Sequence, residues 1–338
     1  MRTEAALSAV SSSSCSSSSC FSSSPSSFSL LSWNVLAPIY FRKGPSRSSP
    51  SEAQFPELFY KRHGQILEVL GSVDPGIICL QEHWFAQQIL DLYEDKLCRQ
   101  LGHAAHLLQR SDICWAGRSQ DGVATFTRDR SWEVVDEHKV EFYHYGLPQD
   151  RVALVLILAE RGDEKENNTE SQRRLAVLCT HLTYPHSRHD MVARSKQMSA
   201  CLAAIERFVP AGVPTIIVGD LNGPSTDEVA RHLRHAGYRN AWEELHGRPC
   251  GVTHVDHRGN NFASDHIWIR GNIRPVEARL LPDSASDECQ MVRPTVGAAA
   301  HLGPRDVASK AWGMGHCLDN WCQLSDHRPV LARFEWTA

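Results

Sequence analysis

The chain has no long apolar run. Nothing in it approaches the roughly 18–20 residues that a membrane-crossing helix needs, so no stable membrane insertion by a helix is expected. It also has little net charge, formally −4. Nothing therefore draws the whole molecule towards a polyanion, and a nucleic-acid substrate would need a local basic patch. A disulfide rhythm is missing too: the 11 cysteines are odd in number and scattered. Cys79 and Cys179 lie inside apolar runs, where cysteine behaves as a small core hydrophobe, and a reducing compartment, cytoplasmic or nuclear, is the simpler expectation. Asn167-Asn168-Thr169 matches a glycosylation acceptor, but a charged loop in a reducing compartment gives it no use.

Residues 1–27 are dominated by serine, above all from Ser11 to Ser27. Such a stretch cannot bury enough apolar surface to offset its ordering entropy, so a disordered tail is expected. The same composition suits an organelle (chloroplast) transit peptide, although Glu4 and the scarcity of arginine fit that less well.

Beyond the tail the composition is that of an ordinary globular protein, with 42% hydrophobic and 22% charged residues over the 338-residue chain. The folded domain is expected over 28–338. Phe28 to Leu36 reads as a buried strand running into a loop. A helix is predicted over 56–73 from apolar positions Leu58, Phe59, Ile66, Leu67 and Leu70. Gly76 to Glu82 is a short apolar run ending on a carboxylate. Further strands are predicted at about 104–109, 122–127, 131–141, 151–159, 174–180, 214–218, 264–270, 274–281 and 328–336. Helices are predicted over 187–209 and 225–236, with a solvated hairpin loop at 161–174. Residues 283–322, rich in Ala and Gly, read as a long insertion. Many strands interleaved with a few long helices imply two sheets packed face to face with helices outside.

Polar, metal-capable residues stand at the exits of the apolar strands: Asn34, Glu82, His181, Asp220, Asn222, Asp265 and the Asp326-His327 pair. Taken singly, Asn34 could cap a turn and His181 could be a hydrogen-bonded core histidine. Gly219-Asp220-Leu221-Asn222-Gly223 is more specific. On an extended backbone Asp220 and Asn222 face the same side, and the flanking glycines would leave room for a ligand. Carboxylate–histidine pairing suits phosphoester hydrolysis because the carboxylate sets the imidazole's tautomer and orientation. The oxygen-rich set favours Mg²⁺, with Mn²⁺ as a substitute, over Zn²⁺. His316, Cys317 and Cys322 have poor spacing for a zinc site.

The ordered pieces SWNVLA (32–37), CLQE (79–82), THL (180–182), GDLN (219–222), SDHIWI (264–269) and SDHRPV (325–330) resemble the endonuclease/exonuclease/phosphatase (DNase I-like) superfamily across nearly the whole folded region. The resemblance implies an α/β fold, a four-layer α/β/β/α sandwich of two packed, mainly antiparallel sheets with the site at one edge. Carried over residue by residue, it implies Glu82 as principal metal ligand with Asn34 and Asp326 completing or supporting its shell. Asp220 would activate the attacking water and Asn222 would orient it. His327, oriented by Asp265, would contact the scissile phosphate, and His181 would donate to a phosphate oxygen or assist the leaving group. His266 takes a place often held by tyrosine, so packing is expected of it.

SWNVLAPIY (32–40), DGVATFTRDRSW (121–132) and THLTYP (180–185) look closest to the deadenylase-like branch, the carbon-catabolite-repressor and nocturnin type, and to plant relatives of uncharacterised substrate. That implies a nucleic-acid partner, RNA first, cut from its 3′ end. A phosphatase or phosphodiesterase on a small phosphorylated metabolite or lipid headgroup is the alternative. LQEHW (80–84) also resembles sphingomyelinase-like members, but no membrane anchor is visible. Arg151 and Arg258 are the candidate substrate-binding arginines. Arg151 stands where the deadenylases favour asparagine, a departure from the polyadenylate pattern. A non-catalytic binding protein has no need to keep this set of acids, amides and histidines together.

Overall fold

The computed structural model describes residues 27–42, 48–111, 119–147, 150–161, 172–256, 259–282, 321 and 323–337. The serine-rich tail, the acceptor at 167–169, Arg258, the three zinc-capable residues and nearly all of 283–322 lie outside the described residues. The strands are β1 (Ser27–Asn34), β2 (Ile77–Trp84), β3 (His103–Gln109), β4 (Asp121–Arg128), β5 (Trp132–Glu141), β6 (Val152–Glu160) and β7 (Arg174–His181). They continue with β8 (Thr215–Asp220), β9 (Arg239–Asn240), β10 (His254–Val255), β11 (Asn261–Phe262), β12 (Asp265–Arg270), β13 (Ile273–Leu280) and β14 (Val330–Trp336). The helices are α1 (Pro56–Val73), α2 (Gln87–Tyr93), α3 (Arg188–Phe208), α4 (Glu228–His235) and α5 (Ala241–His246).

Two six-stranded sheets form, in the orders β13-β14-β1-β2-β4-β3 and β5-β6-β7-β8-β12-β9. Each is antiparallel except for one parallel pair, β1–β2 and β7–β8. Parallel neighbours need a long crossover, and α1 and α3 supply it. The strands read as continuous apolar runs because both faces are covered. Leu30, Cys79, Leu154, Leu156, Val177, Cys179, Val218 and Ile267 enter the core between the sheets. Their neighbours alternate outward at strand period. Leu31, Ile78 and Leu80 meet α1 through Phe59, Ile66 and Leu70. Leu178, Ile217 and Trp268 meet α3 and α4 through Met198, Cys201, Ile205 and Leu233. The expected α/β/β/α layering is the observed one.

Helix α1 has the predicted limits. α4 starts later than expected, at Glu228, because Asp227 caps it by accepting the Ala230 N–H. Two helices had not been anticipated. α2, continued by a π-helical segment over Glu94–Gln100, buries Ile89, Tyr93 and Leu97, a spacing of four that the sequence does carry. α5 has six residues, too few for periodicity to register.

The sheet arrangement puts the functional residues at one edge. β1, β2, β7 and β8 all end there, β12 starts there, and β14 starts there just after the Ser325-Asp326-His327 turn. In register, His181 pairs with Asp220, and Asp220 pairs with Asp265. One row across three strands therefore carries three of the predicted site residues.

Behind that edge, β2 continues into His83, which is wrapped by the rings of Phe85, Tyr93 and Phe126. Both its ring nitrogens are buried without a hydrogen bond, and burial lowers its pKa to about 3 from an ordinary 6.5. Above pH 6.5 the ring is neutral in folded and unfolded chains alike. As pH falls below that, only the unfolded chain gains the proton, so stability drops by about 1.4 kcal/mol per pH unit from this residue. His83→Phe should remove that part of the acid slope in denaturant titrations between pH 6.5 and 5, while leaving stability at pH 8 nearly unchanged.

Candidate active site

Asp220 is the hub of the edge. Its Oδ1 accepts the Asn222 backbone N–H at 2.9 Å, and its Oδ2 accepts Asn34 Nδ2 at 3.1 Å. His181 Nε2 lies 3.3 Å from Oδ2 and His327 Nε2 lies 3.6 Å from it. Burial raises the Asp220 pKa, with Asp265 adding to it and His327 opposing. A buried carboxylate with four polar neighbours is held rigidly and kept near the range of a usable base.

Asn34 joins the two sheets. Its Oδ1 accepts the Leu36 N–H at 3.0 Å, which orients the amide so that Nδ2 faces both Asp220 and Glu82, the latter at 3.3 Å. In this geometry Asn34 supports the Glu82 carboxylate and does not aim an oxygen at a cation. Glu82 sits at a bulge between Gln81 and His83 with φ 56°, a left-handed conformation that costs a non-glycine residue energy and clusters at functional sites. Its Oε2 accepts the Ala37 N–H at 2.8 Å. Burial, followed by the charges of Asp121 and Asp326, pushes the Glu82 pKa up to about 7.

His327 and Asp265 form the pair the sequence suggested. His327 Nδ1 lies 2.8 Å from Asp265 Oδ2. Burial works against charge on the ring, but the Asp265 and Asp220 carboxylates override it and push His327 up to about 10. An imidazolium there, with Nε2–H turned towards the hub, is a fixed cationic hydrogen-bond donor. His181 is the opposite case: burial and the nearby Arg151 and Arg110 charges hold its pKa well below the usual imidazole range. It is a neutral ring at the side of Asp220. His266 packs, as expected, with Nε2 2.9 Å from the Gly223 carbonyl.

Two expectations about the GDLN segment change. Asn222 lies beyond the strand at φ 54°, so the Asn222 N–H to Asp220 bond, not a shared strand face, brings the two together. Its Nδ2 donates to the Leu182 carbonyl at 2.8 Å. The glycines make room for the protein itself. A Cβ on Gly219 would stand 1.9 Å from the Thr180 carbonyl oxygen, and one on Gly223 would stand 2.3 Å from both Arg194 and Asp227.

Arg151 immediately precedes β6 and is part-buried, with its Nη1 enclosed and without a hydrogen bond. Asp326 keeps about a fifth of its side chain exposed, at 22%. Its Oδ1 has no hydrogen bond, and His254 Nε2 lies 3.7 Å from its Oδ2. His254 is one residue at the site that is absent from the predicted set. Asp121 and its 2.7 Å partner Arg110 are two more, set on β4 and just beyond β3.

The donor set suits a hard divalent cation. Glu82 and Asp326 offer carboxylate oxygens in a place where buried negative charge is uncompensated enough to lift Glu82. His254, Asp326 and His327 have donor atoms within 4.8 Å of one another, as do Asp220, Asp265 and His327.

Arg62 holds this assembly from below. Its Nη1 donates to the carbonyls of Val35 and Leu324, both at 2.7 Å, and Nη2 donates to Leu36 at 2.7 Å. Buried Glu52 neutralises it at 2.7 Å. The loop carrying Asn34 and the turn carrying His327 are thus pinned to α1. Arg62→Ala should cost about 3–5 kcal/mol, because it strands Glu52 and three carbonyls. Urea denaturation would measure it.

The family model described as "Endonuclease/Exonuclease/phosphatase family" matches residues 31–327. An uncharacterized calcium-binding protein of Arabidopsis thaliana is 28% identical over 249 residues, covering 70% of this chain and 50% of its own length. The chain thus spans about half of that relative. The human nocturnin catalytic domain with bound sulfate superposes with TM-score 0.62 at 20% identity, covering 93% of this chain and 94% of that one. ANGEL2, a 2′,3′-cyclic phosphatase in complex with adenosine-2′,3′-vanadate, gives TM-score 0.64 at 17% identity, with 92% and 96% covered. At these identities the two structures establish the shared fold.

Proposed function

The chain belongs to the endonuclease/exonuclease/phosphatase family, and we propose that it is a metal-dependent phosphodiester hydrolase acting on RNA from the 3′ end, in the manner of the deadenylase-like branch. The observation that carries this reading is the hub: a buried Asp220 placed 3.6 Å from an imidazolium that Asp265 holds in orientation. A base for water and a donor for phosphate oxygen share one edge, which phosphoester hydrolysis requires. Asp220 accepts the proton of the attacking water. Asn222 and Asn34 keep its two oxygens in place. The His327 Nε2–H donates to a non-bridging oxygen of the phosphate, and neutral His181 backs Asp220. Glu82 and Asp326, supported by Asn34, would hold Mg²⁺ or Mn²⁺, which supplies neutralisation of the charge that develops on the phosphate.

A second reading is a phosphatase or phosphodiesterase on a small phosphorylated metabolite or lipid headgroup, and Arg151 favours its phosphatase form. Its unpaired Nη1 beside the site suits a terminal phosphate dianion better than a diester. Assays of the protein with Mg²⁺ against oligo(A), mixed RNA, single-stranded DNA, NADP and sphingomyelin separate the readings. Progressive shortening of RNA from its 3′ end supports the first. Preference for NADP or sphingomyelin over every polynucleotide replaces it with the second. Hydrolysis of none of them, with wild type and Glu82→Ala alike, rejects both.

A further inference from the structure

His254 is not among the residues predicted for the site, yet it lies in the middle of it. Its backbone forms an isolated antiparallel bridge with His327. The flanking bonds run from Val255 N–H to the Asp326 carbonyl at 2.9 Å and from Arg328 N–H to the Thr253 carbonyl at 2.7 Å. His254 and His327 are therefore a non-hydrogen-bonded pair, the kind whose side chains stand closest. Their rings stack with centroids 4.0 Å apart and planes 7° from parallel. His254 is 6% exposed. Its Nε2 lies 3.7 Å from Asp326 Oδ2.

Two roles are open to a second imidazole in such a place. Joint ligation of one cation by His254 and His327 is disfavoured by the stack. The nitrogen lone pairs lie in the ring planes, and parallel planes send them side by side without convergence. The other role fits every contact. We propose that His254 is a positioning residue whose ring face sets the plane of His327 and whose Nε2 steers the Asp326 carboxylate. One side chain then couples the phosphate-contacting half of the site to the cation-binding half. This role rests on the reading of the edge as a phosphodiesterase site. Asp265 holds His327 at one atom, Nδ1. The His254 face, stacked on the ring, is the contact that bears on its plane.

Three variants divide the role. His254→Phe keeps a ring against the imidazolium but has no nitrogen. His254→Asn keeps a polar group near Asp326 but has no ring, and His254→Ala has neither. The readouts are RNA turnover, Mn²⁺ affinity by calorimetry, and the downfield proton NMR signal of the His327–Asp265 hydrogen bond, with melting temperature as control. His254→Phe should retain the downfield signal and, at saturating Mn²⁺, keep more turnover than His254→Asn, while Mn²⁺ affinity falls about tenfold. His254→Asn should retain Mn²⁺ affinity within about threefold, broaden the downfield signal and lose about tenfold or more in kcat with KM little changed. His254→Ala should show both losses. Equal effects in all three variants, or none, would overturn the proposal. A wild type that hydrolyses no phosphoester overturns the functional reading instead, and the NMR and Mn²⁺ arms still decide the role of His254.

Discussion

Asp220→Asn should lower turnover by about 10³–10⁴-fold, the upper range for losing a positioned general base, with the fold intact. The substitution is nearly isosteric. Oδ1 can still accept the Asn222 N–H, so the turn after β8 is preserved. The damage falls on Oδ2, which now faces Asn34 Nδ2 at 3.1 Å and His327 Nε2 at 3.6 Å. An amide NH₂ there meets donors with donors and cannot take a proton from water. Its loss also withdraws one of the three carboxylates that keep His327 charged. Single-turnover kinetics with melting curves would test this. A fall of less than about tenfold would remove Asp220 from the role of base.

The second large effect separates the two halves of the site. Glu82→Ala should reduce turnover by about 10³-fold and weaken Mn²⁺ binding by at least tenfold, since it removes the carboxylate best placed to hold the cation. Asp265→Asn should reduce turnover by about 10²-fold with Mn²⁺ affinity nearly unchanged. The Asp265 carboxylate lies 2.8 Å from His327 Nδ1, the ring nitrogen that is not turned towards the hub. Without its charge, His327 should lose much of the stabilisation that pushes it up to about 10. The upper pH limit of activity should therefore move down in Asp265→Asn, because the ring gives up its proton at lower pH. Calorimetric Mn²⁺ titrations and pH–rate profiles of both variants read this out. Equal losses of cation affinity in the two would break the division.

Much of this edge was legible because the fold hands it to the strands. β1, β7 and β8 are apolar runs that end on a polar residue, β12 begins on one, and in β2 the apolar run gives way to Gln81-Glu82. An apolar run stops where the sheet meets water, so those residues mark one rim. What the sequence could not carry is pairing at a distance. His254 owes its place to a backbone bridge with His327, and nothing local to residues 253–255 announces that. Glu82 was visible as a strand-end carboxylate, but its bulge and positive φ, which turn it towards Asn34, were not. The glycines around Asp220 misled in an instructive way. Gly219 and Gly223 read as space for a ligand, whereas the Thr180 carbonyl and the Arg194–Asp227 pair occupy that space.

We propose that Glu82 holds a divalent cation at this edge while Asp220 and His327 act on a phosphodiester. The most direct test is cleavage of a 3′-labelled single-stranded RNA by the wild type and Glu82→Ala, each with Mg²⁺ and with excess EDTA. Product is expected only for the wild type with Mg²⁺. Equal cleavage by Glu82→Ala, or cleavage by the wild type that survives EDTA, would contradict that assignment.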